Sequence, residues 1–188
     1  MPLYEFDGKR PVISADAFVH PEAVVIGDVH VGADSMIAPG AVIRGDFGPI
    51  TIGEGTSIQD GATIHVTPGD RVLIGNNIIV AHNVSLHDVT IAQRCIVGIG
   101  AVLLQGVVCE EGVVVAAGSV VSQGMRIPAG KLVAGNPARI IKDVPPEIAA
   151  YVEEGIEEYR KLTRLYRLTM KKLWPSVLCE SPGSSFRS

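Results

Sequence analysis

A chain of 188 residues, 47% hydrophobic and only 19% charged, has apolar content for one packed domain with a small appendage and is too apolar for wholesale disorder. Its formal net charge is −4 and no basic stripe interleaves with aromatics, which argues against nucleic acid as a partner. No apolar run approaches the roughly 20 residues of a membrane helix, and the opening Met-Pro-Leu-Tyr-Glu-Phe-Asp lacks the charged and apolar regions of a signal peptide, so a cytoplasmic protein without membrane partners is expected.

After this N-terminal extension, aliphatic residues recur at every sixth position. They run through Val19, Val25, Val31, Ile37 and Ile43, then Ile52, Ile58 and Ile64, then Ile74, Val80 and Leu86, and last Ile91, Val97, Leu103, Cys109, Val115 and Val121. A second apolar or small residue often follows four places later, as at Ala23, Val29, Ser35, Ala41, Ala62, Val84 and Ala101. Two inward positions per six residues, with Gly, Asp and Asn at the bends, predict an all-β solenoid in which each hexad is a short strand and a corner. Three sides close one triangular coil, and neighbouring coils stack about 4.8 Å apart as paired parallel strands. The anchors amount to between five and six coils. Cys95 and Cys109 fall on repeat positions and read as small buried hydrophobes, not metal ligands.

Three irregularities interrupt the rhythm: residues added around Phe47-Gly48-Pro49, residues added over Val66–Arg71, and one residue missing between Leu86 and Ile91. Insertions in a solenoid are expected to leave the core as surface loops, often on the functional face. The rhythm fades after Val121, and Pro128, Gly130, Gly135, Asn136 and Pro137 mark an irregular connection that closes a β-helix domain spanning 1–143. Pro145-Pro146 then introduce a helix within 144–174, with an apolar stripe of Ile148, Val152, Tyr159, Leu162, Tyr166, Met170 and Leu173 lying on the coils or on a neighbouring subunit. The Ser-Pro-Gly-rich stretch 175–188, which contains Cys179, reads as a disordered tail.

The irregularities crowd around three histidines. Ile43, Ile64 and Leu86 are three hexads apart along the repeat, so they stack on one side, and the residues after them, Arg44, His65 and His87, point outward as a vertical ladder. His65 and His87 are then about one strand spacing apart, close enough to share a metal. His82 follows Val80 by two positions and lies on another side, with Asp60 in the matching place one coil earlier and Gln59 beside it. Five extended residues could separate His82 from His87 by about 16 Å, at about 3.3 Å per residue. His82 is therefore expected to meet the pair of an adjacent subunit, which makes the protein a homotrimer with three interfacial metal sites.

The segments Arg44-Gly45-Asp46, Gln59-Asp60-Gly61, Ile64-His65-Val66, Ala81-His82-Asn83 and Leu86-His87-Asp88 resemble those of the gamma-class carbonic anhydrase family, within the hexapeptide-repeat superfamily. The resemblance runs from about Tyr4 to Ala138. It implies a left-handed parallel β-helix and a zinc ion, replaceable by iron or cobalt, held by His65 and His87 of one subunit and His82 of the next. It further implies that Arg44 and Asp46 form an intersubunit ion pair and that Gln59 orients a metal-bound water. The implied reaction is reversible hydration of CO2 to bicarbonate by a metal-bound hydroxide. The sequence departs from the best-studied members, because Phe47 follows Asp46 where they have a glutamate, and Asp70 is the only carboxylate of the short loop after His65. It matches a shorter subclass, of which some members are linked to CoA thioester chemistry. An acyl-CoA thioesterase or a hexapeptide acyltransferase is therefore the alternative. The Gly135-Asn136-Pro137-Ala138 segment resembles one common in the transferases, although a transferase with a single base would not need His65, His82 and His87 together.

Overall fold

Each hexad supplies one short strand and one sharp corner, and successive hexads wind into a left-handed parallel β-helix closed by one α-helix, Pro146–Thr169. The computed structural model describes residues 3–173. The tail read as disordered, with Trp174 and Cys179, lies outside the described residues.

The anchors form three columns, each held by in-register parallel pairing. Val25, Ile43, Ile64, Leu86, Leu103 and Val121 make one. Val31, Ile52, Ile74, Ile91, Cys109 and Ile127 make the second. Val19, Ile37, Ile58, Val80, Val97, Val115 and Val133 make the third. All are buried, and each fully covered aliphatic side chain contributes about 1.5–3 kcal/mol of transfer free energy. Polar residues among the inward positions are satisfied by the next coil: Ser35 Oγ donates to the Gly53 carbonyl at 2.6 Å and Thr56 Oγ1 to that of Gly75 at 2.9 Å. Both hydroxyls thus keep a partner on burial.

Three expectations need correction. The repeat does not fade at Val121, since Ile127 and Val133 are fully buried and extend the second and third columns. Arg126 and Pro128, exposed on either side of Ile127, hid the pattern. The insertion at Phe47-Gly48-Pro49 is not a detached loop. It bends a continuous strand, Val42–Ile52, which pairs with Thr63–His65 before the bend and Val72–Ile74 after it. Gly45 permits the bend, because a Cβ there would lie 2.5 Å from the Asp28 carbonyl oxygen. The helix stops at Thr169, so Met170 and Leu173 are exposed residues beyond it, while Ile156 completes the buried stripe.

The helix starts with Pro146 in its first turn, where a missing N–H costs nothing, and Glu147 and Arg167 complement its dipole. It lies on the third face of its own chain. Val152 and Ile156 pack with Ile79 and Val114, and farther along Leu162 and Tyr166 pack on Phe18, Met36 and Ala38. Arg164 and Arg160 both reach Asp34, at 2.7 and 3.3 Å. No helix among the described residues is long and apolar enough to cross a membrane.

Candidate functional site

The ladder forms in register, with Arg44 beside His65 and His65 beside His87 on adjacent coils. His65 Nδ1 lies 3.2 Å from His87 Nε2. The opposite nitrogen of each ring is held by a carboxylate: His65 Nε2 by Asp46 Oδ1 at 3.0 Å, and His87 Nδ1 by Asp88 Oδ2 at 3.0 Å. An ionised carboxylate only accepts, so each of these ring nitrogens carries the hydrogen. The facing nitrogens are then left with lone pairs.

The carboxylates are themselves fixed. Asp46 also accepts from Arg44 Nη1 at 2.5 Å, so Arg44 and Asp46 pair within one chain. Burial alone would raise the Asp46 pKa, but Arg44 and His65 outweigh it and hold the carboxyl below its ordinary range. The Asp88 side chain is 2% exposed. It accepts from the Thr67 N–H at 2.6 Å and from the Thr67 hydroxyl. Here too burial pulls the pKa up, and the bonds from Thr67 and His87 more than offset it. The sequence reading gave Asp88 no role. The missing residue before Ile91 was the available signal, because it shortens the corner that follows the ladder, and Asp88 at that corner bonds back to His87 and Thr67.

Phe47 packs beside His65 with its ring tilted by 51° and the centroids 5.7 Å apart, which sets an apolar ring beside the ladder where a carboxylate could have stood. Asp70 lies to the other side, lining an open polar hollow with Thr67, Asp88, Gln105 and Gln123.

His82 stands apart on the third face. Its Nδ1 lies 3.0 Å from Asp60 Oδ2, which leaves Nε2 free. Gln59 is 3% exposed and lies close to Tyr159 of the helix. Between helix and coils, His82 and Gln59 border a cleft of about 280 Å³ whose walls are mainly apolar. Burial raises the Tyr159 phenol above its ordinary pKa, against the opposing influence of the nearby Gln59 amide. Cys95 and Cys109 are buried in the core, and burial pushes the Cys95 thiol up to about 12, so neither serves as a nucleophile.

The ladder suits a metal ion. Two imidazole lone pairs at 3.2 Å repel unless a cation lies between them. Nitrogens bound about 2.0–2.1 Å from a tetrahedral zinc are spaced about 3.3–3.4 Å apart. Among the described residues no three His, Cys, Asp or Glu groups converge within one chain. A four-coordinate ion at the ladder therefore needs a donor from outside the chain.

Six-residue coils of this hand define a hexapeptide-repeat protein. A family model described as bacterial transferase hexapeptide (six repeats) matches residues 10–45. Gamma carbonic anhydrase 1, mitochondrial, of Arabidopsis thaliana is 39% identical over 164 residues, which are 84% of this chain and 60% of that protein. The chain thus spans less than two thirds of that relative's length. Carnitine operon protein CaiE of Escherichia coli K12 is 35% identical over 175 residues, covering 93% of this chain and 89% of CaiE. A crystal structure of a hexapeptide transferase family protein from Anaplasma phagocytophilum superimposes with a TM-score of 0.84 at 35% identity, over 87% of this chain and 97% of that one. The chain belongs to the hexapeptide-repeat, left-handed β-helix superfamily that includes gamma carbonic anhydrases and hexapeptide acyltransferases.

Proposed function

We propose that this protein is a metal-dependent hydrolase of acyl thioesters whose active sites assemble between the subunits of a homotrimer. The observation that carries this reading is the facing pair of His65 Nδ1 and His87 Nε2, each ring pinned from behind by its own carboxylate. His65 and His87 would hold the ion together with His82 of a neighbouring subunit. Zinc, iron or cobalt fits these donors, and such an ion supplies Lewis acidity and water acidified to near neutral pKa.

The residues of the chain do the remaining work. Asp46, Asp60 and Asp88 fix the three imidazoles in orientation and tautomer. The Arg44 guanidinium, locked on Asp46, places a fixed positive charge beside the ladder. Gln59 offers an amide to a substrate carbonyl at the mouth of the cleft. In hydrolysis the acyl carbon–sulfur bond breaks, a carbon–oxygen bond to water forms, and the thiol leaves with a proton. The cleft is far roomier than a triatomic substrate needs, which favours the thioester. The 39% identity to a protein named a gamma carbonic anhydrase favours hydration of CO2 to bicarbonate as a second reading of the same site.

Metal-loaded trimer tests both. Thiol release from an acyl-CoA panel, absent in His82→Ala, supports hydrolysis. Proton release from CO2 in stopped flow, with no thiol release, supports the second reading instead. A rate equal to His82→Ala in both assays rejects the site.

A further inference from the structure

We infer that the cleft beside His82 is an acyl pocket that selects thioesters with a compact apolar acyl group, about the size of a six-carbon chain or ring. This rests on the proposed thioester chemistry and adds the part of the substrate that the site recognises.

Shape and lining lead there. The helix forms the roof with Tyr151 and Tyr159, and the coils form the floor with Ile79 and Ile99. His82 and Gln59 are the polar members of a lining otherwise made of aliphatic, small and tyrosine side chains. An acyl group bound there would set its carbonyl against His82 or Gln59 and its hydrocarbon against the isoleucines and tyrosine rings. The volume sets the size. An apolar cavity of roughly 150 Å³ already takes a benzene ring, and small-molecule pockets begin near 300 Å³, so a cleft of about 280 Å³ holds a six-carbon group and its carbonyl but not a long chain.

Exposure supplies a second argument. Ile99 and Tyr151 both line the cleft, yet are 54% and 68% exposed. Large apolar side chains left open beside a cleft gain by covering hydrocarbon. Tyr151 and Tyr159 of the helix line the cleft together with residues of the coils, so the position of the helix sets its height. The pocket also explains why the helix runs over this face.

The test uses the full-length metal-loaded trimer and two readouts. In the first, thiol release is measured for acetyl-, butyryl-, hexanoyl-, benzoyl- and decanoyl-CoA. The expected kcat/KM rises at least tenfold from acetyl to hexanoyl or benzoyl and falls again at decanoyl. Ile99→Trp, at a half-open position where the larger ring fills the cleft without entering the core, should lower the hexanoyl-to-acetyl ratio at least tenfold. In the second, saturation-transfer NMR follows neutral hexanamide against acetamide. Hexanamide should bind and be lost in Ile99→Trp. Hexanamide binding without turnover of any thioester leaves the pocket standing and removes the hydrolase reading. Turnover with no chain-length preference, or a preference unmoved by Ile99→Trp in correctly folded trimer, overturns the pocket and leaves the hydrolase reading intact.

Discussion

Asp46 and His65 meet through one contact, Oδ1 to Nε2 at 3.0 Å, and that contact decides which nitrogen of His65 faces His87. Removing the carboxylate frees the ring to rotate and to change tautomer. Asp46→Ala and Asp88→Ala are each expected to weaken metal affinity about 10–100-fold. A chelator-competition titration checks this. An affinity within twofold of wild type would show that the carboxylates do not orient the rings.

The proposed division of the ligands between subunits makes a complementation test possible. His65→Ala and His82→Ala trimers should each lose activity. Subunits of the two variants, unfolded together and refolded as mixed trimers, should regain a fraction of it. The regained sites pair an intact His82 from one subunit with an intact His65 and His87 from another. Equal inactivity of mixed and separate trimers, with mixing verified by mass spectrometry, would place the metal elsewhere.

Gly45 is tested by one methyl group. In Gly45→Ala the new Cβ starts 2.5 Å from the Asp28 carbonyl oxygen, a backbone atom without a rotamer to yield. The expected cost is about 1–3 kcal/mol, the usual range for overpacking. Because Arg44 and Asp46 flank this residue, metal affinity should fall as well. Thermal melting and the chelator titration report the two effects separately.

Acid should loosen the helix. The hydrogen bond from Arg164 is the largest influence on Asp34; burial opposes it, Arg160 assists, and the folded pKa is lowered. A depressed carboxyl pKa contributes stability that is fully present above the unfolded value of about 3.9 and is lost as pH falls through the folded value. Asp34→Asn should therefore melt at a lower temperature than wild type at pH 7, and the gap should close as pH falls below the unfolded value and through the lowered folded one. Asn tolerates the positive φ of 54° at this corner, so the substitution isolates the charge. A gap that persists unchanged in acid would assign the effect to shape.

Much of this was legible in the sequence because inward positions in a β-helix repeat with a fixed period. That period set the columns, the register of Arg44, His65 and His87, and the separation of His82 onto another face. Ile127 and Val133 escaped because charged outward neighbours and prolines broke the visible pattern while the inward positions kept it. The bend at Phe47 was misread because an insertion can stay within a strand where two glycines let the coils approach. Asp88 left only the trace of one missing residue, and the cleft left none. Both arise from three-dimensional closure: a corner tightened by one missing residue, and a helix laid across strands distant in sequence.

A stack of near-identical coils has no natural stopping place for unravelling, since each coil is held only by the two it touches. Here the last element of the chain returns over the stack, from Val114 near one end, past Ile79, to Phe18 at the other. Fraying at either end must therefore detach the helix that also secures the opposite end. Local breathing becomes a global event, and the two coils that carry His65 and His87 are protected from slow peeling at the termini.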